Sequence, residues 1–186
     1  DETGLPWVQP SPNMPTLDTA IVYPGMCLLE GTTMSEGRGT TRPFELLGAS
    51  YIEPFQLADE LNRVGLPGIA FRPVYFRPTF HKYGGQTIGG IATHVYDRAH
   101  FQPLRMGLHF LAGVRRLYGQ QLEWRTEAYE FVTDRLAIDL LFGCEEARRE
   151  IDRCASIKQL DELWYSWQDE SAAFDKAREP YLIYSE

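Results

Sequence analysis

Between Ile69 and Tyr118 the hydrophobic pattern changes period, and this change restricts the fold more than any other feature of the chain. Ile69–Phe76 and Thr87–Tyr96 carry the β-branched and aromatic residues of strands, and the glycine-bearing Lys82-Tyr83-Gly84-Gly85-Gln86 between them predicts a long hairpin. In the second strand, alternation places Ile88, Ala92, His94 and Tyr96 on one face and Thr87, Ile91, Thr93 and Val95 on the other. Pro73 and Pro78 each lack a ladder donor, so the first strand reads as an edge or an interrupted strand. From Pro103 the period becomes helical: Leu104, Leu108, Leu111, Val114 and Leu117 recur at threes and fours, with Pro103 in the first turn and Gly119 at the stop. The expected fold is therefore α+β, a small mixed or antiparallel sheet with a long hairpin, packed by several helices and helical in its C-terminal part.

The remaining elements fill in around that centre. Residues 1–15 hold Pro6, Pro10, Pro12 and Pro15 around Trp7 and Val8, a proline-rich linker arm pinned by one aromatic anchor. Residues 16–186 read as a single domain, long enough at 186 residues in all to bury a core without disulfide or metal staples. Thr16 caps a helix through Leu17, Ala20, Ile21, Met26, Leu28 and Leu29 that Pro24-Gly25 must kink or split. Phe44–Leu47 predicts a short strand, and Pro54–Val64 a helix stopped by Gly65. Further helices are expected over Phe131–Leu141, Cys144–Cys154 and, capped by Ser156, Ser156–Arg178, with a small edge strand at Tyr181–Tyr184.

Composition narrows the function. A net charge of -8 argues against general nucleic-acid binding, since no local basic patch offsets it; Arg115, Arg116, Arg148 and Arg149 read as polar helix faces. Cys27, Cys144 and Cys154 lack CxxC spacing and are expected to be small, buried or half-buried side chains, so neither a disulfide framework nor a metal site is indicated, and no cofactor. The longest apolar run, Ala20–Leu29, is too short to span a bilayer.

The candidate site is the run from Glu30 to Glu45, where an apolar segment gives way to glycines, hydroxyls and charges. Thr32, Ser35 and Thr40 both donate and accept; Glu30 and Glu36 add carboxylates; Arg38 and Arg42 add planar forks suited to a carboxylate or to paired sugar hydroxyls. Glycoside hydrolysis commonly uses two carboxyls flanking the scissile bond, and Glu30 or Glu36 could supply one, although binding sugar hydroxyls or holding Arg38 is the preferred role. A plain solvated loop is the competing reading. For His94 a half-buried, hydrogen-bonded place on the sheet is preferred to metal ligation, and for Lys82 solvation; Trp164 and Trp167, at helical spacing, read as packing before sugar platform. No G-x-S-x-G elbow or phosphate loop is present.

Trp7-Val8-Gln9-Pro10-Ser11-Pro12-Asn13-Met14-Pro15-Thr16, Tyr23-Pro24-Gly25-Met26-Cys27, Glu30-Gly31-Thr32 and Ser35-Glu36-Gly37-Arg38-Gly39-Thr40 resemble a bacterial family of exo-acting β-N-acetylmuramidases of peptidoglycan turnover, formerly a family of unknown function. The likeness continues through Arg42-Pro43-Phe44, Phe71-Arg72-Pro73, Tyr75-Phe76, Lys82-Tyr83 and Gly89-Gly90 to Tyr181-Leu182-Ile183-Tyr184; Met34 stands where a more polar or aliphatic residue is expected. The resemblance implies that this chain is the C-terminal α+β part of a two-part protein, with the sugar site in the cleft between it and an N-terminal Rossmann-like domain. The proposed catalytic glutamate of the family belongs to that other domain, so no catalytic residue is assigned here and the chain alone is expected to be inactive. The implied partners are the missing domain and muramic acid sugars from peptidoglycan, and the implied location is exported, periplasmic or extracellular, with a lipid anchor as one form. N-acetylmuramic acid carries a lactyl carboxylate, which Arg38 or Arg42 could select. The alternative is a non-catalytic glycan- or protein-binding module, and a third reading is a domain that only stabilises its neighbour.

Overall fold

Three antiparallel strands, in the order β1-β3-β2, form the sheet of the computed structural model, which describes residues 4–183. They are β1 (Leu46–Ala49), β2 (Ile69–Phe76) and β3 (Ile88–Val95). The hairpin pairs Ile69 with Val95 and Phe76 with Ile88, so β3 is central and the proline-bearing β2 lies at an edge as expected. Its connection is longer than the predicted turn, running from Arg77 to Thr87, with His81, Tyr83 and Gly85 at positive φ. Burial along β3 continues on both faces from Ile88 to Thr93, whereas His94 is exposed rather than half-buried. The predicted strand at Phe44–Leu47 starts later: Phe44 has φ 63°, incompatible with a strand, and pairing begins at Leu46 against Ala92.

Helix α1 (Leu17–Met26) starts where Thr16 Oγ1 accepts from Thr19 N at 3.2 Å. Pro24 neither splits nor ends it; the chain stays α-helical to Met26 and then tightens into a 3₁₀ turn over Cys27–Gly31, which delivers Glu30 to the following loop. Helix α2 (Pro54–Val64) matches its prediction because its ends are written in the sequence. Glu53 accepts from Phe55 N and Gln56 N, Pro54 opens the first turn, and Gly65 takes the left-handed C-cap conformation. Its buried face is Leu57, Ala58 and Leu61, and Asn62 clamps the edge strand through both amide atoms, at 2.7 Å to Phe71 O and 2.9 Å from Phe71 N.

Helix α3 (Pro103–Tyr118) is the centre of the core, buried continuously from Met106 to Arg115. Side chains such as Leu108, Phe110 and Leu111 each contribute about 1.5–3 kcal/mol on burial. Arg115 is therefore not on a polar face: it is buried and donates to Asp152 Oδ1 at 2.7 Å and to Gly119 O at 2.8 Å.

Three predictions in the C-terminal part are corrected. Of the helix expected over Phe131–Leu141, only its end is helical, as α4 (Ala137–Phe142); Phe131 instead sits in a tight turn. The single helix expected over Ser156–Arg178 is two, α6 (Ile157–Ser166) and α7 (Gln168–Arg178), meeting at Trp167. Ser156 and Gln159 form a full capping box, and Leu160 and Leu163 are buried, but α7 buries no residue and Phe174 is exposed. Tyr181 closes a 3₁₀ turn over Glu179–Tyr181 instead of opening a strand, and Tyr184 lies outside the described residues. Between them α5 (Glu146–Asp152) occupies the core of its predicted range, leaving Cys154 exposed while Cys27 and Cys144 are half-buried.

Candidate functional site

The 3₁₀ turn leads Glu30 into the glycine-bearing run, and a cleft of about 250 Å³ opens there, lined by Asn13, Glu30, Glu36, Arg38, Phe80, His81, Lys82 and Arg125. The run forms one wall and the β2–β3 connection another. The two segments lie backbone against backbone: Thr79 N and Oγ1 both donate to Gly39 O, at 2.8 and 2.9 Å. Gly39 is required there, since it has φ +82° and a β-carbon would fall 2.6 Å from Phe80 O.

Glu36 is the electrostatic centre. Its side chain is 1% exposed and meets Arg38 Nε at 3.1 Å, Lys82 Nζ at 2.9 Å and His81 Nδ1 at 3.4 Å. Glu30 takes the other side of the same guanidinium, Arg38 Nη2 at 2.5 Å, and accepts from Tyr129 Oη at 2.9 Å. Arg38 also lies 5.1 Å from the centroid of Phe44, whose ring is held edge-on by Tyr23 at 4.9 Å. Burial works against the Arg38 charge, but its hydrogen bond to Glu30 and the attraction of Glu30 and Glu36 outweigh that and raise its pKa. Burial, and then the bond to Glu30, raise the Tyr129 phenol, so Tyr129 remains the donor. Burial and the Glu30 charge push the Cys27 thiol up to about 11; it is protonated at neutral pH and is no nucleophile.

The seven residues singled out in the sequence thus divide. Glu30, Glu36 and Arg38 converge on the cleft. Thr32 and Ser35 are buried and shape the backbone: Thr32 Oγ1 donates to Leu29 O and accepts from Met34 N, and Ser35 Oγ accepts from Gly37 N. Thr40 Oγ1 donates to Gly37 O at 2.6 Å and lines a neighbouring groove. Arg42 is 60% exposed, pairs with Glu45 at 2.7 Å and lines a separate depression with Asp18, Thr93 and His94. Lys82 is not solvated as expected; besides Glu36 it donates to Leu29 O at 3.0 Å. Lys82, Arg125 and Tyr129 join the site without a motif of their own, and only the Lys82-Tyr83 pair leaves a trace in the sequence. Among the described residues, no group of three or more His, Cys, Asp or Glu could hold a metal ion. Glu30 and Glu36 grip one guanidinium from two sides, an arrangement that binds and orients, whereas glycoside hydrolysis places its carboxyls on either side of the scissile bond.

The segment that brings Arg125 and Tyr129 to the cleft is strapped to the 3₁₀ turn by Arg125 N to Gly31 O at 2.9 Å and by the Thr32–Trp124 bridge. It then reverses between Tyr129 and Val132, whose backbones pair in both directions. The two central residues, Glu130 (φ 46°) and Phe131 (φ 69°), both hold positive φ, the signs of a type I′ turn, and Phe131 is fully exposed. Neither side chain favours that conformation, which costs of order 1 kcal/mol each. The double replacement Glu130→Asn with Phe131→Gly is expected to raise stability by about 1–2 kcal/mol, read as a shift of the urea midpoint at constant slope.

With this geometry in place, comparison with known proteins decides the family. The family model for the C-terminal part of the exo-beta-N-acetylmuramidase NamZ matches residues 21–184. The chain belongs to the NamZ C-terminal family. Peptidoglycan beta-N-acetylmuramidase NamZ of Bacillus subtilis (strain 168) is 40% identical over 184 residues, which are 99% of this chain and 42% of that protein. A DUF1343 family protein from Bacteroides fragilis NCTC 9343 shares the structure with a TM-score of 0.80 at 27% identity, over 99% of this chain and 47% of its own. A second DUF1343 protein of that organism, at 22% identity and TM-score 0.61, shares the fold over 96% of this chain and 44% of its own. The chain therefore spans less than half the length of these relatives. The NamZ C-terminal match includes the whole cleft-forming run from Glu30 to Arg38 and reaches Lys82, Arg125 and Tyr129; Asn13 alone of the lining residues precedes it. No helix among the described residues is long and apolar enough to cross a membrane.

Proposed function

We propose that this chain is the substrate-cleft domain of a peptidoglycan exo-β-N-acetylmuramidase, which hydrolyses N-acetylmuramic acid from the non-reducing end of wall glycan outside the cytoplasmic membrane. The observation that carries the reading is the cleft itself: Arg38, Lys82 and Arg125 surround a space also lined by Glu30 and Glu36, inside a family described by that activity. The cationic side chains receive the lactyl carboxylate that distinguishes muramic acid from N-acetylglucosamine, and Glu30, which bonds Arg38 and Tyr129, accepts a sugar hydroxyl on its remaining lone pairs. Arg38 is favoured over Arg42 as the selecting residue because Arg42 and Glu45 line a different depression. The general acid and base come from the other half of the protein, because both carboxylates here are committed to Arg38.

The test is hydrolysis of a chromogenic N-acetylmuramide to N-acetylmuramic acid and the free chromophore, first by this chain and then by a longer protein that adds the N-terminal half. Turnover only by the longer protein supports a shared cleft. Turnover by neither overturns the muramidase reading in favour of a binding module, and turnover by this chain alone transfers the chemistry to Glu30 and Glu36. In the longer protein, Arg38→Ala is expected to lower kcat/KM for the muramide about 100-fold, equivalent to losing about 2–3 kcal/mol of charge-assisted contact. The same substitution should leave the domain folded by circular dichroism; equal losses of fold and activity would make Arg38 structural.

A further inference from the structure

Phe80 stands between two depressions. On one side lies the cleft of Glu30, Glu36 and Arg38; on the other is an open groove of about 480 Å³, lined by Gly39, Thr40, Thr41, Phe76, Arg77 and Thr79. Phe80 lines both and is 56% exposed, an apolar ring that the core does not use. Its backbone is nevertheless fixed, because Thr79 is bonded twice to Gly39 O immediately before it. A ring displayed from a fixed backbone loses little freedom when a ligand settles on it.

The polar groups around the ring complete the pattern. In the cleft, Arg38 and Lys82 are bonded to carboxylates, but in the groove Arg77 is exposed and makes no hydrogen bond or ion pair with the described residues. Thr41 is exposed beside it; the Thr79 hydroxyl, which donates to Gly39 O, keeps its lone pairs for a ligand, and the Thr40 hydroxyl, which donates to Gly37 O and accepts from Arg42 N, keeps one. One aromatic face flanked by a guanidinium and several hydroxyls matches a pyranose ring, whose C–H face is apolar and whose rim carries hydroxyl and acetamido groups.

We propose that the groove beyond Phe80 is a second saccharide subsite, which holds the sugar next to the one in the cleft, with Phe80 as its stacking platform and Arg77 as its polar anchor. The assignment rests on the reading of the cleft as the muramic acid site. It gives the exposed ring at the junction a use: Phe80 is the residue that lines both depressions, so a glycan running from the cleft into the groove crosses its face.

The experiment titrates this chain, isotope-labelled, with N-acetylmuramic acid and separately with the disaccharide that carries N-acetylglucosamine on its reducing side, following backbone amides by NMR. The monosaccharide is expected to shift Glu36, Arg38 and Lys82. The disaccharide should also shift Thr41, Arg77 and Thr79 and bind at least tenfold more tightly, and Arg77→Ala or Phe80→Ala should remove most of that gain. Disaccharide shifts confined to the cleft, a gain insensitive to Arg77→Ala, or no shift with either sugar would overturn the subsite. Turnover by the longer protein separates the two readings. Turnover without groove shifts leaves the muramidase and removes the subsite; groove shifts without turnover leave a glycan-binding groove and remove the muramidase.

Discussion

Glu36→Ala is expected to destabilise the domain by about 3 kcal/mol and to abolish the cleft as a formed site. The carboxylate is almost wholly buried, whereas its partners Arg38 and Lys82 keep about a quarter and a fifth of their side chains exposed. Removing it leaves two cations and His81 around a space that neither a methyl group nor free solvent can compensate fully. The partial exposure of the cations places the cost at the lower end of the range for broken buried pairs. Glu36→Gln keeps the shape and one acceptor, and is expected to recover part of the loss. The decisive measurement is a double-mutant cycle with Lys82→Met in urea: a coupling of about 1–2 kcal/mol shows that Glu36 holds Lys82 in place, and a coupling below about 0.5 kcal/mol shows that solvent screens the pair.

That pair also marks the limit of what the sequence discloses. Glu30, Glu36 and Arg38 stand within one short run, so their chemistry can be read together from the order of the residues. Lys82 meets Glu36 across 46 residues and Tyr129 meets Glu30 across 99, and neither pairing has a local signature. The elements divide in the same way. Helices α2 and α3 match their predicted spans because proline at the start and glycine at the end state the boundaries, and β2 because its β-branched and aromatic residues lie between Gly68 and Arg77-Pro78. The helix expected over Phe131–Leu141 fails at its start, where Glu130 and Phe131 hold positive φ in a turn and Phe131 is fully exposed. The break at Trp167 is hidden for the opposite reason: Ser171 and Phe174 continue the stripe of Leu160 and Leu163 in sequence, yet α7 buries none of its residues.

Gly25→Ala is expected to cost about 3 kcal/mol or more, although it replaces the poorer helix former by the better one near the end of α1. At this position α1 crosses α3 backbone to backbone: a β-carbon on Gly25 would lie 1.8 Å from Pro103 O and 2.6 Å from Pro103 C. The opposing residue is also glycine, and a β-carbon on Gly107 would lie 2.5 Å from Gly25 O. A rotamer change cannot relieve a clash with main chain, so the helices must separate, and the packing around Leu28, which approaches Gly107, opens with them. The control is Gly113→Ala in α3, where the new methyl meets no main chain but only the buried Leu61 Cδ2 at 3.1 Å, which need yield a few tenths of an ångström; there the propensity gain of about 1 kcal/mol should leave stability near the parent. Urea midpoints for the two variants and the parent measure the contrast, and a Gly25→Ala midpoint close to that of Gly113→Ala would show that α1 can yield without loss. The consequence reaches the site because the 3₁₀ turn that presents Glu30 begins directly after Met26. A displaced α1 moves the carboxylate that Arg38 and Tyr129 share, so Gly25→Ala should also weaken the sugar binding proposed for the cleft, even where enough folded protein remains to measure it.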